Sequence, residues 1–93
     1  MKQYEINGIL YDLVSDDNCF SIDIVKEYLT DYFYDFDYVF GDFSGDKVRL
    51  KGFFDTKNKK AKRYNDIKYL ESYKKDYCNI GAKTFLLKKV HKK

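Results

Sequence analysis

Apolar residues recur at every second position over Tyr4 and Ile6 and again over Ile9, Tyr11 and Leu13, with Asn7-Gly8 between the two runs. Period two places successive side chains on opposite faces of a strand, and Asn-Gly is the preferred pair for a two-residue type I′ turn. The stretch "YEINGILYDLV" therefore predicts a hairpin that pairs Ile6 with Ile9 and Tyr4 with Tyr11, on one face that Leu13 continues. After "SDDN" the period lengthens. Ile22, Val25, Leu29, Tyr32 and Phe33 recur at helical spacing behind Ser21, a favoured N-cap type. Asp23, Lys26, Glu27 and Asp31 would form the wet face of this helix.

Strands are expected at about 37–43 and 47–54, and a polar loop, "DTKNKKAKRYN", follows. A second helix is expected behind Asn65, with Ile67, Leu70, Tyr73 and Tyr77 as its apolar stripe. It should stop near "CNIG", where Asn79 or Gly81 can take the left-handed conformation that ends helices. "AKTFLLKKV" reads as a last strand and "HKK" as a tail. The order ββαββαβ predicts a single α+β domain over residues 1–93, with a mixed or antiparallel sheet and two helices on one face. The opposite face would then be partly open.

That expectation gives the middle hairpin its interest. With Gly45-Asp46 as the turn, Phe43 faces Val48 and Leu50 faces Gly41 on the core side. The other side sets Asp42 opposite Arg49, Phe40 opposite Lys51 and Tyr38 opposite Phe53. An Asp–Arg cross-strand pair helps to fix register. The remaining rings and cations would make a basic-aromatic sheet face, on which bases stack and phosphates are tracked. "RLKGFF" also echoes the middle of the RRM motif, and residues 9–90 follow the β-α-β-β-α-β order. Phe54, however, stands where that motif has Gly or Ala, and Asp55 where it has Phe.

Charge sharpens this picture more than composition does. Lysine outnumbers arginine 16 to 2 and there are 10 tyrosines and no proline, a usage that an AT-rich genome also produces, so counts alone carry little. Position carries more. Residues 1–46 hold two lysines and eleven carboxylates, net −9, whereas residues 47–93 hold sixteen basic and four acidic residues, net +12. Such asymmetry between halves hints at a polyanion-facing surface. The chain is 44% hydrophobic, too apolar and patterned for disorder, and it has no apolar run long enough to span a bilayer. The beginning, "MKQYEINGILYDL", lacks the layout of a signal peptide, so a cytoplasmic location is expected, with Cys19 and Cys78 reduced.

Two blocks, "FDYVFGDFSGDKVRLKGFF" and "DYCNIGAKTFLLKKV", resemble the YutD-like family of small Firmicute and Mollicute proteins, whose pattern is similar to YDYIVGDW…QLRLKGFF and EYCNFGCAYFVL. Asp37, Tyr38, Gly41, Asp42, Arg49, Leu50, Lys51, Gly52, Phe53 and Phe54 fall on matching positions. So do Tyr77, Cys78, Asn79, Gly81, Phe85 and Leu87. Phe43 stands where the family has Trp, and Ala82 where it has a second Cys, which argues against a paired role for Cys78. The resemblance implies a cytoplasmic α+β domain and no particular chemistry.

Catalysis finds little support. The single histidine, His91, lies in the tail, and Cys78 at a helix C-terminus meets the end of the dipole that raises a thiol pKa. Cys78 is expected to be a small buried hydrophobe. No Cys-x-x-Cys or His-Glu-x-x-His spacing suggests a metal, and no cofactor is expected. The expected function is that of a non-enzymatic binding module for RNA, an RNA-containing particle or single-stranded nucleic acid. Lys47, Arg49, Lys51, Lys59, Lys60, Lys62 and Arg63 would meet phosphates, and Tyr38, Phe40 and Phe53 would stack bases. The alternative is a protein-interaction adaptor using the same aromatic patch; neither a membrane nor a small-molecule substrate is indicated.

Overall fold

The structure, a computed structural model, describes residues 2–44, 47–77 and 81–90. The first hairpin forms as the turn dipeptide dictates. β1 (Gln3–Ile6) and β2 (Ile9–Asp16) pair Ile6 with Ile9 and Tyr4 with Tyr11, and Asn7 and Gly8 both take positive φ, 53° and 86°. α1 (Ile22–Tyr28) leads into a 3₁₀ turn (Asp31–Phe33), then β3 (Tyr38–Ser44) and β4 (Lys47–Phe53). A second 3₁₀ turn (Ile67–Tyr69) runs into α2 (Leu70–Tyr77), and β5 is Lys83–Lys89. The five strands make one antiparallel sheet in the order β1-β2-β5-β3-β4. The expected α+β class holds. So does the β3–β4 register: Tyr38 opposite Phe53, Phe40 opposite Lys51, Asp42 opposite Arg49. The turn at Gly45-Asp46, Cys78, Asn79 and His91 lie outside the described residues.

The helices depart from expectation, because they lie on opposite faces of the sheet. Val25 and Leu29 of the α1 segment pack with Ile6, Tyr11, Val39, Val48, Phe85 and Leu87. On the other side Ile67, Leu70 and Tyr73 cover Phe40, Phe53 and Leu86. The reason lies in β3 and β5. "YVF" and "TFLL" carry apolar side chains on both sides of the strand, so one layer of helix would leave the second side in water. A sheet covered on both faces has no open aromatic platform of the RRM kind.

Local corrections have equally local causes. α1 stops at Tyr28 instead of running on to Phe33, because the Asn7 amide donates to the Leu29 carbonyl at 2.9 Å and closes the helix end from the hairpin turn. Tyr32, expected in the apolar stripe, is exposed. The second helical segment is capped by Asp66, whose carboxylate accepts from the Lys68 N–H at 3.0 Å, while Asn65 accepts from the Lys62 N–H. The Thr56 hydroxyl, donating to Asp66 at 2.6 Å, and that backbone bond hold the Asp66 carboxyl below its usual range.

Two features of the core are open to test. The ring of buried Phe85 lies over Gly41, where any Cβ would collide with it. Gly41→Ala should therefore cost about 1–3 kcal/mol by overpacking, read by denaturant unfolding, and Phe85→Leu in the same chain should recover part of it. The Tyr11 hydroxyl is fully buried and has no hydrogen-bond partner among the described residues. Burial, aided by Tyr34 nearby, pushes its pKa up to about 12. Because the folded value lies above the unfolded one for a group that gains negative charge, stability should fall as pH rises above the ordinary value of 10.0. Tyr11→Phe should flatten that alkaline fall and raise stability at neutral pH by about 1 kcal/mol, since an unpaired buried donor is removed.

Candidate functional site

α2 meets the sheet through Tyr73. Its ring stands edge-on to Phe53, with centroids 5.6 Å apart, and edge-on to Phe40 at 5.8 Å. This seals Phe40 and Phe53, which retain 2% and 1% of their exposure. They cannot stack on a base from outside, and the expectation that they would is corrected by the helix lying on them. Tyr38 is half-buried in the same cluster, with the Lys88 ammonium 5.9 Å from its ring centroid.

Next to this sealed cluster a groove of about 650 Å³ runs between α2 and β4. It is bordered by Lys51, Arg63, Tyr64, Tyr69, Tyr73 and Tyr77, with Asp76 as the acidic group, and no residue of β3 or β5 reaches it. It therefore follows the outer border of the sheet. Tyr73 and Tyr77 lie 5.0 Å apart at a shallow interplanar angle of 30°. Tyr64 and Tyr77 keep 71% and 65% of their exposure, an unusual state for large rings that border one cavity. The Lys51 ammonium lies between two rings, 5.7 Å from the Phe53 centroid and 5.8 Å from that of Tyr64. Stacked cations of this kind hold position without a carboxylate partner.

The expected site residues divide into three groups. Lys51, Phe53 and Arg63 come together at the groove, Phe53 only as its floor. Lys47, Lys59 and Lys62 are exposed and do not border it. Lys60 pairs with Asp35 at 2.5 Å, so this part of the basic loop folds back onto the acidic half of the chain. Arg49 is a structural fastening. Its Nε and Nη2 donate to both oxygens of Asp42, at 3.1 and 2.6 Å, and Nη2 also donates to the Tyr77 carbonyl at 3.2 Å. These bonds tie the last turn of α2 to β4. The sequence pattern did not mark Tyr64, Tyr69 and Tyr77 as site residues. The one signal it held was the recurrence of Tyr69, Ser72 and Asp76 on one helical face next to the Tyr73 stripe.

The charge asymmetry becomes spatial. Exposed Asp23, Glu27 and Asp31 belong to the α1 side, whereas Lys51, Arg63, Lys68, Lys74 and Lys88 stand by the rings of the α2 side. Among the described residues, no group of three or more His, Cys, Asp or Glu is arranged to hold a metal ion, and no helix is long and apolar enough to cross a membrane.

Residues 5–88 match the family described as "Putative antitoxin YutD-like". A protein of Bacillus subtilis (strain 168) described as "Putative antitoxin YutD" is 38% identical over 73 residues, which cover 78% of this chain and 80% of that protein. The solution NMR structure of protein yutD from B. subtilis superposes with a TM-score of 0.80 at 33% identity, covering 99% of this chain and 84% of that one.

The Arg49–Asp42 pair yields a quantitative expectation. The Asp42 side chain is 5% exposed, so removing its partner leaves a nearly buried charge. Arg49→Ala and Asp42→Ala should each cost about 2–3 kcal/mol, and the double variant little more than either alone. Chemical denaturation of the four chains measures this coupling, and strictly additive costs would show that the pair does not act as a unit.

Proposed function

The chain belongs to the YutD-like family, and we propose that it is a non-enzymatic docking module whose groove between β4 and α2 receives a protein partner. The observation that carries this reading is the contrast between sealed and open rings. Phe40 and Phe53 are committed to the core, while Tyr64 and Tyr77 remain in solvent around Lys51 and Arg63. Tyrosine and arginine around a concave surface, with one acidic group at its border, are the residue types that dominate protein–protein hot spots. A relative described as "Putative antitoxin YutD" is compatible with the same direction, because binding the toxin is one way in which an antitoxin protein acts.

The nucleic-acid alternative loses two of its three stacking rings to the core, and one of its cations, Lys60, to Asp35. Its remaining support is exposed Lys47, Lys59, Lys62 and Arg63, with half-buried Lys51 and Tyr38. Salt separates the two, since counterion release makes nucleic-acid binding fall steeply with ionic strength.

Tagged chain recovered from its own cells should retain one protein at raised salt and after nuclease treatment. Tyr69→Ala and Tyr77→Ala should each weaken that complex by about 1–2 kcal/mol, whereas Tyr28→Ala, on the α1 side, should leave it unchanged. Retention of RNA alone, lost at raised salt and on Lys59→Ala, Lys62→Ala substitution, would overturn the protein reading. Arg49 is unsuitable for this experiment, because its loss unfastens α2.

A further inference from the structure

β4 is an edge strand, and the direction of its backbone groups can be read twice over. Beyond its end, the Phe54 N–H donates to the Asn65 carbonyl at 2.7 Å and the Phe54 carbonyl accepts from the Ile67 N–H at 2.9 Å, so Phe54 points its backbone away from β3. Alternation along the strand then turns Gly52, Leu50 and Val48 outward as well. The other side of the sheet agrees. The Lys89 N–H donates to the Asp37 carbonyl at 2.8 Å, so the odd-numbered residues of β3 face β5 and the even-numbered ones face β4. Their partners on β4 are Lys47, Arg49, Lys51 and Phe53, which leaves the groups of Val48, Leu50 and Gly52 at the border. Among the described residues, no strand pairs with that border.

We propose that a partner segment in extended conformation adds to β4 as a sixth strand, with alternate side chains, one aromatic and its neighbours acidic, lying in the groove beside α2. This deepens the docking reading above and rests on it. The groove supplies what strand addition alone lacks. Main-chain hydrogen bonds to an edge give affinity without selectivity, and a pocket for every second side chain gives the selectivity. Lys47, Arg49 and Lys51 all stand on the groove side of β4, and among the described residues no carboxylate pairs with Lys47 or Lys51. A strand bearing carboxylates at alternate positions would place them opposite these lysines, the favourable cross-strand arrangement.

The same charges reject the obvious competitor, a second copy of this chain. Outward groups must meet outward groups, so an antiparallel copy of β4 that overlaps by more than three residues pairs only in registers that set these cations against one another. Centring on Leu50, for instance, opposes Arg49 with Lys51 of the other copy. Like charges directly opposite are destabilising, and lysines on an edge are a recognised device against self-pairing. The edge is thus closed to itself and open to an acidic strand.

The test uses the full chain, isotope-labelled, and a blocked peptide matching the seven residues of β4. The peptide carries glutamate, tyrosine and glutamate at alternate positions, with threonine and valine between them; a second peptide has lysine for glutamate. The acidic peptide should slow amide exchange at Val48 and Leu50 about tenfold or more, while the lysine peptide does nothing. Lys51→Glu, at a half-buried position beside the Phe53 and Tyr64 rings, should weaken the acidic peptide about tenfold and admit the lysine peptide, with the unchanged amide spectrum of the free variant as the check that the sheet is intact. No binding of the acidic peptide overturns the proposal. Resonance shifts at Tyr69 and Tyr77 without protection of Val48 and Leu50 also overturn strand addition, while leaving docking in the groove standing. Protection that survives Tyr69→Ala, Tyr77→Ala undiminished supports the added strand and removes the groove from the reading.

Discussion

β3 and β5 present apolar side chains to both sides of the sheet, and neither side can be left wet. Val39, Phe85 and Leu87 point to one layer, Phe40 and Leu86 to the other. Each such side chain contributes roughly 1.5–3 kcal/mol when buried, so exposing the second set would remove several kcal/mol from a domain of ordinary marginal stability. The chain answers by returning α2 to the face that α1 does not reach. To get there from the end of β4 it must pass around the edge of the sheet. The loop that does so is held by Phe54, bonded to Asn65 and Ile67, and by the Asp37 carboxylate, which accepts from the Asp55 N–H at 2.8 Å and from Asn58 at 3.0 Å. The groove is a by-product of this path. It lies where the loop and the outer side of α2 overhang the border strand.

A helix on each face also explains how the molecule separates its charges. The acidic first half supplies α1 and the turn after it, and the basic second half supplies β4, the loop and α2. Specific pairs cancel part of the asymmetry, Asp42 with Arg49 within the sheet and Asp35 with Lys60 between the loops beside it. What remains is kept apart, because sheet and core stand between most of the two layers. Two cations of the α2 side rest on rings, Lys51 on Phe53 and Tyr64 and Lys88 on Tyr38, while Lys74 lies by both the Phe40 ring and the Glu71 carboxylate.

Strands and their register were legible in the sequence, because the rules that set them are short-range. Asn7-Gly8 fixes one hairpin, and Asp42 across from Arg49 helps to fix the register of the other. Helix length was less legible, since the amide that ends α1 belongs to Asn7, twenty-two residues before the carbonyl it caps. The face chosen by each helix was not legible at all. Alternation sorts residues into two sides and says nothing about which cover each side receives, and a run such as "TFLL" asks for cover on both. That single ambiguity decides whether Phe40 and Phe53 form a surface or a core. It also conceals the groove, whose tyrosines belong to the rim of a helix that the pattern alone cannot place.

The residues that carry the family resemblance turn out to be the fastenings of this architecture. Gly41 admits the Phe85 ring, Gly52 admits the Phe36 ring, Asp42 and Arg49 tie the last turn of α2, and Asp37 anchors the loop. The groove is built differently. Arg63, Tyr64, Tyr69 and Ser72 lie outside both blocks, Asp76 stands where the family pattern has Glu, and of the matching residues that the structure describes only Lys51, Phe53 and Tyr77 border the cavity. A chain can therefore keep both blocks, and with them the edge strand, Lys51 and Tyr77, while changing the other side chains that line the groove. The backbone of β4 and these two side chains are the part of the site that comes with the blocks, and the rest of the lining is the part free to select what binds there.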